Sequence, residues 1–151
     1  MTPYTKVYEA FLARILEDEW ENWLSDEAMA DWKQILHMAI PHFKFPRVSL
    51  EHTIEWIDGQ AVEGFCGELS TEEIQILANF MKVEWLNRCI MTWENVKPLY
   101  VERDFSQANL LDKLNAMLKN EQANAEKMES IYYRSRKGRP FDFSKLATKS
   151  I

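Results

Sequence analysis

The sequence predicts a mainly α-helical protein: a helical bundle with a long C-terminal helix, a small β-hairpin insertion and an extended C-terminal tail. Three observations carry that reading. Only 4 of the 151 residues are glycine, too few for a sandwich or barrel that must turn every few residues. Apolar side chains recur at three-and-four spacing along most of the chain, the pattern of a helix with one buried face. A 46% apolar content, with aromatic residues making up 13% of the chain, is enough to build a core in one domain of this length without disulfide or metal.

Each element has its own local reason. From Tyr4 to Trp20, Val7, Tyr8, Phe11, Leu12, Ile15 and Leu16 form one apolar stripe, so a first helix is expected there. The carboxylates Glu17, Asp18, Glu19 and Glu21 then crowd its C-terminal end, where the helix dipole favours cations. Ser25 is suited to cap a second helix whose buried stripe is Met29, Trp32, Ile35, Leu36, Ala39 and Ile40, and which Pro41 ends. Between Arg47 and Trp56 the period changes to two: Val48, Leu50, His52, Ile54 and Trp56 alternate with polar residues, as in a half-buried strand. Asp58-Gly59 is hairpin-turn chemistry, and Ala61 to Cys66 returns as a second strand weakened by Gly64. Two strands alone are marginal in water, so this hairpin, at about 47–66, must lean on helices or on another subunit.

A capping box, Ser70 with Glu73, and a staple, Leu69 with Ile74, start a third helix that runs to about Val96. Its apolar residues occupy more than one face, which fits a central position. Ser106 is placed to cap a fourth helix reaching about Arg136, roughly 45 Å at 1.5 Å per residue. Its leucines lie in the first half, so its second half is expected to outrun the core. Gly138 and Pro140 end it, and residues 137–151 form a basic tail carrying Phe141 and Phe143 two apart.

Charge is uneven. Residues 1–133 hold 12 basic and 23 acidic side chains, whereas the last 18 residues hold 6 basic and one acidic. An acidic body disfavours broad adhesion to nucleic acid, which is driven by neutralisation of phosphates. No apolar run is long enough for a membrane helix. Cys66 and Cys89 have no CxxC spacing and no signal peptide ahead of them, which fits a reducing compartment and two small core thiols. The six tryptophans are expected mainly in the core, with Trp20 and Trp23, beside carboxylates, at an interface.

No chemical activity is written in the residues. His37, His42 and His52 lack the spacings that gather metal ligands, Ser70 and Ser106 lie in capping rather than nucleophile-elbow contexts, and Gly59, Gly64 and Gly67 form no phosphate loop. We therefore expect no catalytic residue, no cofactor and no metal. Arg134, Arg136, Lys137 and Arg139, beside Tyr132 and Tyr133, are the one nucleic-acid candidate, although basic residues also suit a helix C-terminus.

The stretch from Leu69-Ser70 through Ile74-Gln75-Ile76-Leu77-Ala78 and Met81-Lys82-Val83-Glu84-Trp85-Leu86, followed by Phe105-Ser106-Gln107-Ala108-Asn109-Leu110 and Leu114, resembles the small neck proteins of tailed bacteriophages, the head–tail connectors or adaptors. The order of elements is similar over about residues 7–136. That resemblance implies a homo-oligomeric ring, usually a dodecamer, in the neck of a virion assembled in the host cytoplasm, with no membrane. The ring would sit beneath the portal, continue the DNA channel for transient passage of the genome, and offer a platform to another neck or tail protein. It implies a portal-docking role for the C-terminal segment, here Tyr132, Tyr133, Arg134, Arg136, Lys137, Arg139, Phe141 and Phe143. Subunit or neck contacts would fall on Trp20, Trp23, Ile54, Trp56 and Ile57. The hairpin is less typical of all-helical connectors. The alternative expectation is a small cytoplasmic helical regulator that binds nucleic acid through its basic C-terminal segment.

Overall fold

The computed structural model describes residues 1–15, 26–96 and 104–134. The order is β1 (Thr2–Pro3), α1 (Tyr4–Arg14), α2 (Asp26–Ala39), a 3-10 turn (Ile40–His42), β2 (His52–Ile57), β3 (Gln60–Phe65), α3 (Thr71–Val96) and α4 (Asp104–Arg134). The protein is mainly helical, with one small antiparallel sheet.

Helix α3 is central, as its all-round apolar sequence requires. Ile76, Leu77, Ala78, Phe80, Met81, Val83 and Leu86 are all buried, and α1, α2 and α4 pack around it. Its start is the predicted capping box: the Glu73 N–H donates to Ser70 Oγ at 3.3 Å, and the Ser70 N–H donates to Glu73 Oε1 at 3.0 Å. Leu69 and Ile74 pack on the core beside it. The α1 stripe of Val7, Tyr8 and Phe11 and the α2 stripe of Trp32, Ile35, Leu36 and Ala39 complete the same core.

Several expectations are corrected. Helix α1 ends at Arg14, not Trp20, because the Ile15 backbone leaves the helical region and its N–H turns back to the Leu12 carbonyl. Glu17, Asp18, Glu19, Trp20, Glu21, Trp23 and Ser25 lie outside the described residues. Met29 is exposed rather than part of the α2 stripe, whereas α2 does end ahead of Pro41, at Ala39, with Pro41 in the 3-10 turn that follows. Helix α4 begins at Asp104, so Ser106 lies within its first turn instead of capping it. The buried side of α4 is its second half, at Ala125, Glu129 and Tyr132, whereas Leu111, Leu114 and Leu118 are half-buried and Met117 is exposed. Cys66 is exposed and Cys89 half-buried, so neither is a core thiol. Of the tryptophans, Trp32 is buried and Trp56 stands in solvent.

The sheet differs most. Strand β2 starts at His52 because the preceding residues spend their backbone groups elsewhere: the Arg47 N–H goes to the Tyr132 hydroxyl, and the Ser49 carbonyl accepts from Gly67. The Asp58-Gly59 turn has both residues at positive φ, 51° and 78°, as the two-residue hairpin needs. The sheet has a third strand, in the order β1-β3-β2. Gly64 makes that possible, since a Cβ there would lie 2.4 Å from the Thr2 carbonyl oxygen. Strand β2 is therefore an edge, and instead of being half-buried it is exposed at every residue except Thr53.

Candidate functional site

Two surfaces lie at the ends of elements that the core fixes: the joint where α4 ends and the cleft beneath the hairpin.

At the joint, Tyr132 is 1% exposed. Its ring meets Phe43 edge-on at 5.4 Å between centroids, and the Arg47 guanidinium lies over the ring, 4.3 Å from its centroid. Its hydroxyl accepts from the Arg47 N–H at 2.8 Å and donates to Glu73 Oε2 at 3.0 Å. The Arg47 side chain also donates to the Tyr132 carbonyl, which satisfies an oxygen at the end of α4. One turn earlier, Glu129 Oε1 accepts from the Lys44 N–H at 2.6 Å. Burial raises the Tyr132 hydroxyl above its ordinary value of 10.0; Arg47 pulls the other way and Glu73 adds to the rise. The same Glu73 thus caps α3 and anchors α4.

This corrects the docking role expected of Tyr132, whose every polar atom is engaged inside the subunit. Its neighbours Tyr133 and Arg134 face outward, and Tyr133 meets the exposed Phe45 at 5.0 Å between ring centroids. Arg136, Lys137, Arg139, Phe141 and Phe143 lie outside the described residues. Sequence reasoning missed Arg47, Phe45 and Glu129. Spacing along α4 does not separate the two tyrosines, since Tyr132 and Tyr133 lie three and four residues after the buried Glu129.

At the hairpin, Ile54, Trp56 and Ile57 are 51%, 76% and 45% exposed, so this expected group of contact residues does share one solvent-facing element. Between the sheet and the α1–α2 pair lies an open cleft of about 620 Å³, lined in part by Tyr4, Tyr8, Met29, Lys33, Ile54 and Glu63. Lys33 Nζ donates to Glu63 Oε1 at 2.8 Å, and His52 Nε2 lies 3.6 Å from the same oxygen. The Lys33 hydrogen bond holds the Glu63 carboxyl below the usual carboxylate range, outweighing its partial desolvation, with the Lys33 and His52 charges assisting. Burial raises both tyrosine hydroxyls above 10.0, with the Glu63 charge adding to each rise. These shifts move all three groups away from neutrality, which suits fixed charges and hydrogen bonds rather than proton transfer near pH 7.

Among the described residues no three His, Cys, Asp or Glu side chains gather into a metal-holding group, and no helix is long and apolar enough to cross a membrane. No protein-family model, curated protein or solved structure matches the chain.

Proposed function

We propose that this chain is a non-enzymatic structural subunit of a tailed-phage virion, a head–tail connector that forms a ring, joins the portal to the tail and continues the DNA channel. The observation that carries this reading is the hairpin. A rigid helical body holds out an edge strand whose Ile54, Trp56 and Ile57 are bare, the kind of surface that soluble monomers rarely keep and that assembly covers. The joint at Tyr132 supports it from the other end, because it anchors the end of α4, after which the basic segment follows in sequence. In this reading Tyr133, Arg134, Arg136, Lys137 and Arg139 engage the portal, and the acidic body lets DNA slide, since fixed positive charge would retain phosphates.

Electron microscopy of the native particle tests the proposal directly. Density for a ring of this chain at the portal vertex is the expected result; its absence from that vertex ends the proposal. Deleting residues 137–151 should abolish portal attachment while leaving the helical signal of the body intact. Isolated connector should have little affinity for duplex DNA, whereas tight binding that falls steeply with salt would mark the chain as a nucleic-acid-binding regulator.

A further inference from the structure

We propose that the exposed edge of β2 and the cleft beside it receive the segment Arg139–Lys145 from the C-terminal arm of a second copy of this chain, added as a fourth strand. The argument begins with hydrogen bonds. In the β2–β3 ladder Ile57 faces Gln60 across the two-residue turn, and the Cys66 N–H donates to the Glu51 carbonyl. The odd-numbered residues of β2 therefore point their backbone groups at β3, and His52, Ile54 and Trp56 point theirs outward, along an edge that no strand pairs with among the described residues. The same three residues turn their side chains to the cleft face: the His52 ring lies 5.9 Å from that of Tyr4, and Ile54 lines the cleft.

The chemistry of the occupant follows from what the edge offers. Residues 51–68 carry Glu51, Glu55, Asp58, Glu63 and Glu68 and no Lys or Arg. Residues 134–151 carry Arg134, Arg136, Lys137, Arg139, Lys145 and Lys149 against Asp142 alone. One chain thus holds both halves of a charge-complementary pair, which is what a head-to-tail interface between copies requires. In an extended strand Phe141 and Phe143 fall on one side and Asp142 on the other, so both rings can face the apolar cleft while the backbone pairs with β2.

Self-docking within one chain would leave the wild type monomeric, so the oligomeric state separates it from exchange between copies. The inference deepens the ring reading by naming its subunit contact, and it does not depend on a portal.

The test is analytical ultracentrifugation of the full-length chain and two double variants, Ile54→Ala with Trp56→Ala and Phe141→Ala with Phe143→Ala. Wild type should self-associate with rising concentration, less so at high salt, and each variant should weaken association by at least about tenfold. Mixed one to one, the two variants retain one intact edge and one intact arm per pair, so they should form dimers that grow no further. Wild type that stays monomeric, variants that associate like wild type, or a mixture that fails to pair would each overturn the exchange. Circular dichroism confirms that the variants fold. A ring at the portal vertex built from variants that associate normally would sink the exchange alone; exchange by a chain absent from that vertex would sink the connector reading alone.

Discussion

Tyr132 and Trp56 are large aromatics treated in opposite ways by the same subunit. Tyr132 is covered by Phe43 and Arg47 and has its hydroxyl fully engaged; Trp56 stands in solvent on a strand with one partner. The difference separates a side chain that holds the subunit together from one left for something outside it. Substitutions at the joint should therefore cost stability first, and substitutions at the hairpin should cost association with little change in stability.

The largest stability effect is expected for Tyr132→Ala, about 3–5 kcal/mol, as for removal of other buried aromatics. It also strands the Arg47 N–H and one Glu73 oxygen. Urea unfolding measures it, and a loss below about 1 kcal/mol would show that the joint does not pin α4. Alkaline pH sharpens the same point. Tyr4, Tyr8 and Tyr132 each have a folded value raised above 10.0, so their protonated forms are favoured in the fold. Stability should be level below about pH 10 from this source and should fall as pH rises from there through the raised folded values, since the unfolded chain ionises first. Tyr132→Phe should make that alkaline fall shallower.

Next in size is Gly64→Ala, between the two regions. A methyl group there would press on the Thr2 backbone and push β1 off the sheet, costing about 1–3 kcal/mol as overpacking does. It would also disturb the bridge in which the Thr2 hydroxyl accepts from Leu69 and donates to the Gly67 carbonyl. Faster amide exchange at Phe65 and Leu69 is the expected readout, and an unchanged exchange pattern would count against the tight β1–β3 approach.

Ser70→Ala removes the acceptor of the capping box and should cost about 1 kcal/mol, read from the urea midpoint. This element was legible because everything that makes it lies within five residues: Ser70 and Glu73 bond to each other's backbone whatever the rest of the chain does. The Asp58-Gly59 turn and the all-round burial of α3 were legible for the same local reason. The third strand was not, because Thr2–Pro3 is too short to carry a period and its evidence, the bare backbone of Gly64, lies some 60 positions away. The candidate site divides likewise. Ile54, Trp56 and Ile57 were expected at a contact and do stand bare on one strand, but the alternation through Ile54 and Trp56 suggested one buried face; α1 and α2 leave the cleft open instead. Nothing local distinguishes Tyr132 from Tyr133, since the choice between them is made by Arg47, 85 residues earlier.

The smallest stability change is expected at Trp56→Ala, within about 0.5 kcal/mol of wild type, as for surface positions outside caps and networks. Its side chain touches too little of its own subunit for truncation to matter there, and its register opposite Ala61 does not need the indole. The same substitution should nevertheless weaken association of the full-length chain, because an exposed indole on an open edge contributes its burial only once a partner covers it. A ratio is therefore the decisive quantity: the loss in association divided by the loss in stability should be large at Trp56 and small at Gly64. If Trp56→Ala lowers the urea midpoint as much as Ser70→Ala does, the hairpin is part of the subunit's own support, and the contrast between the joint and the edge fails.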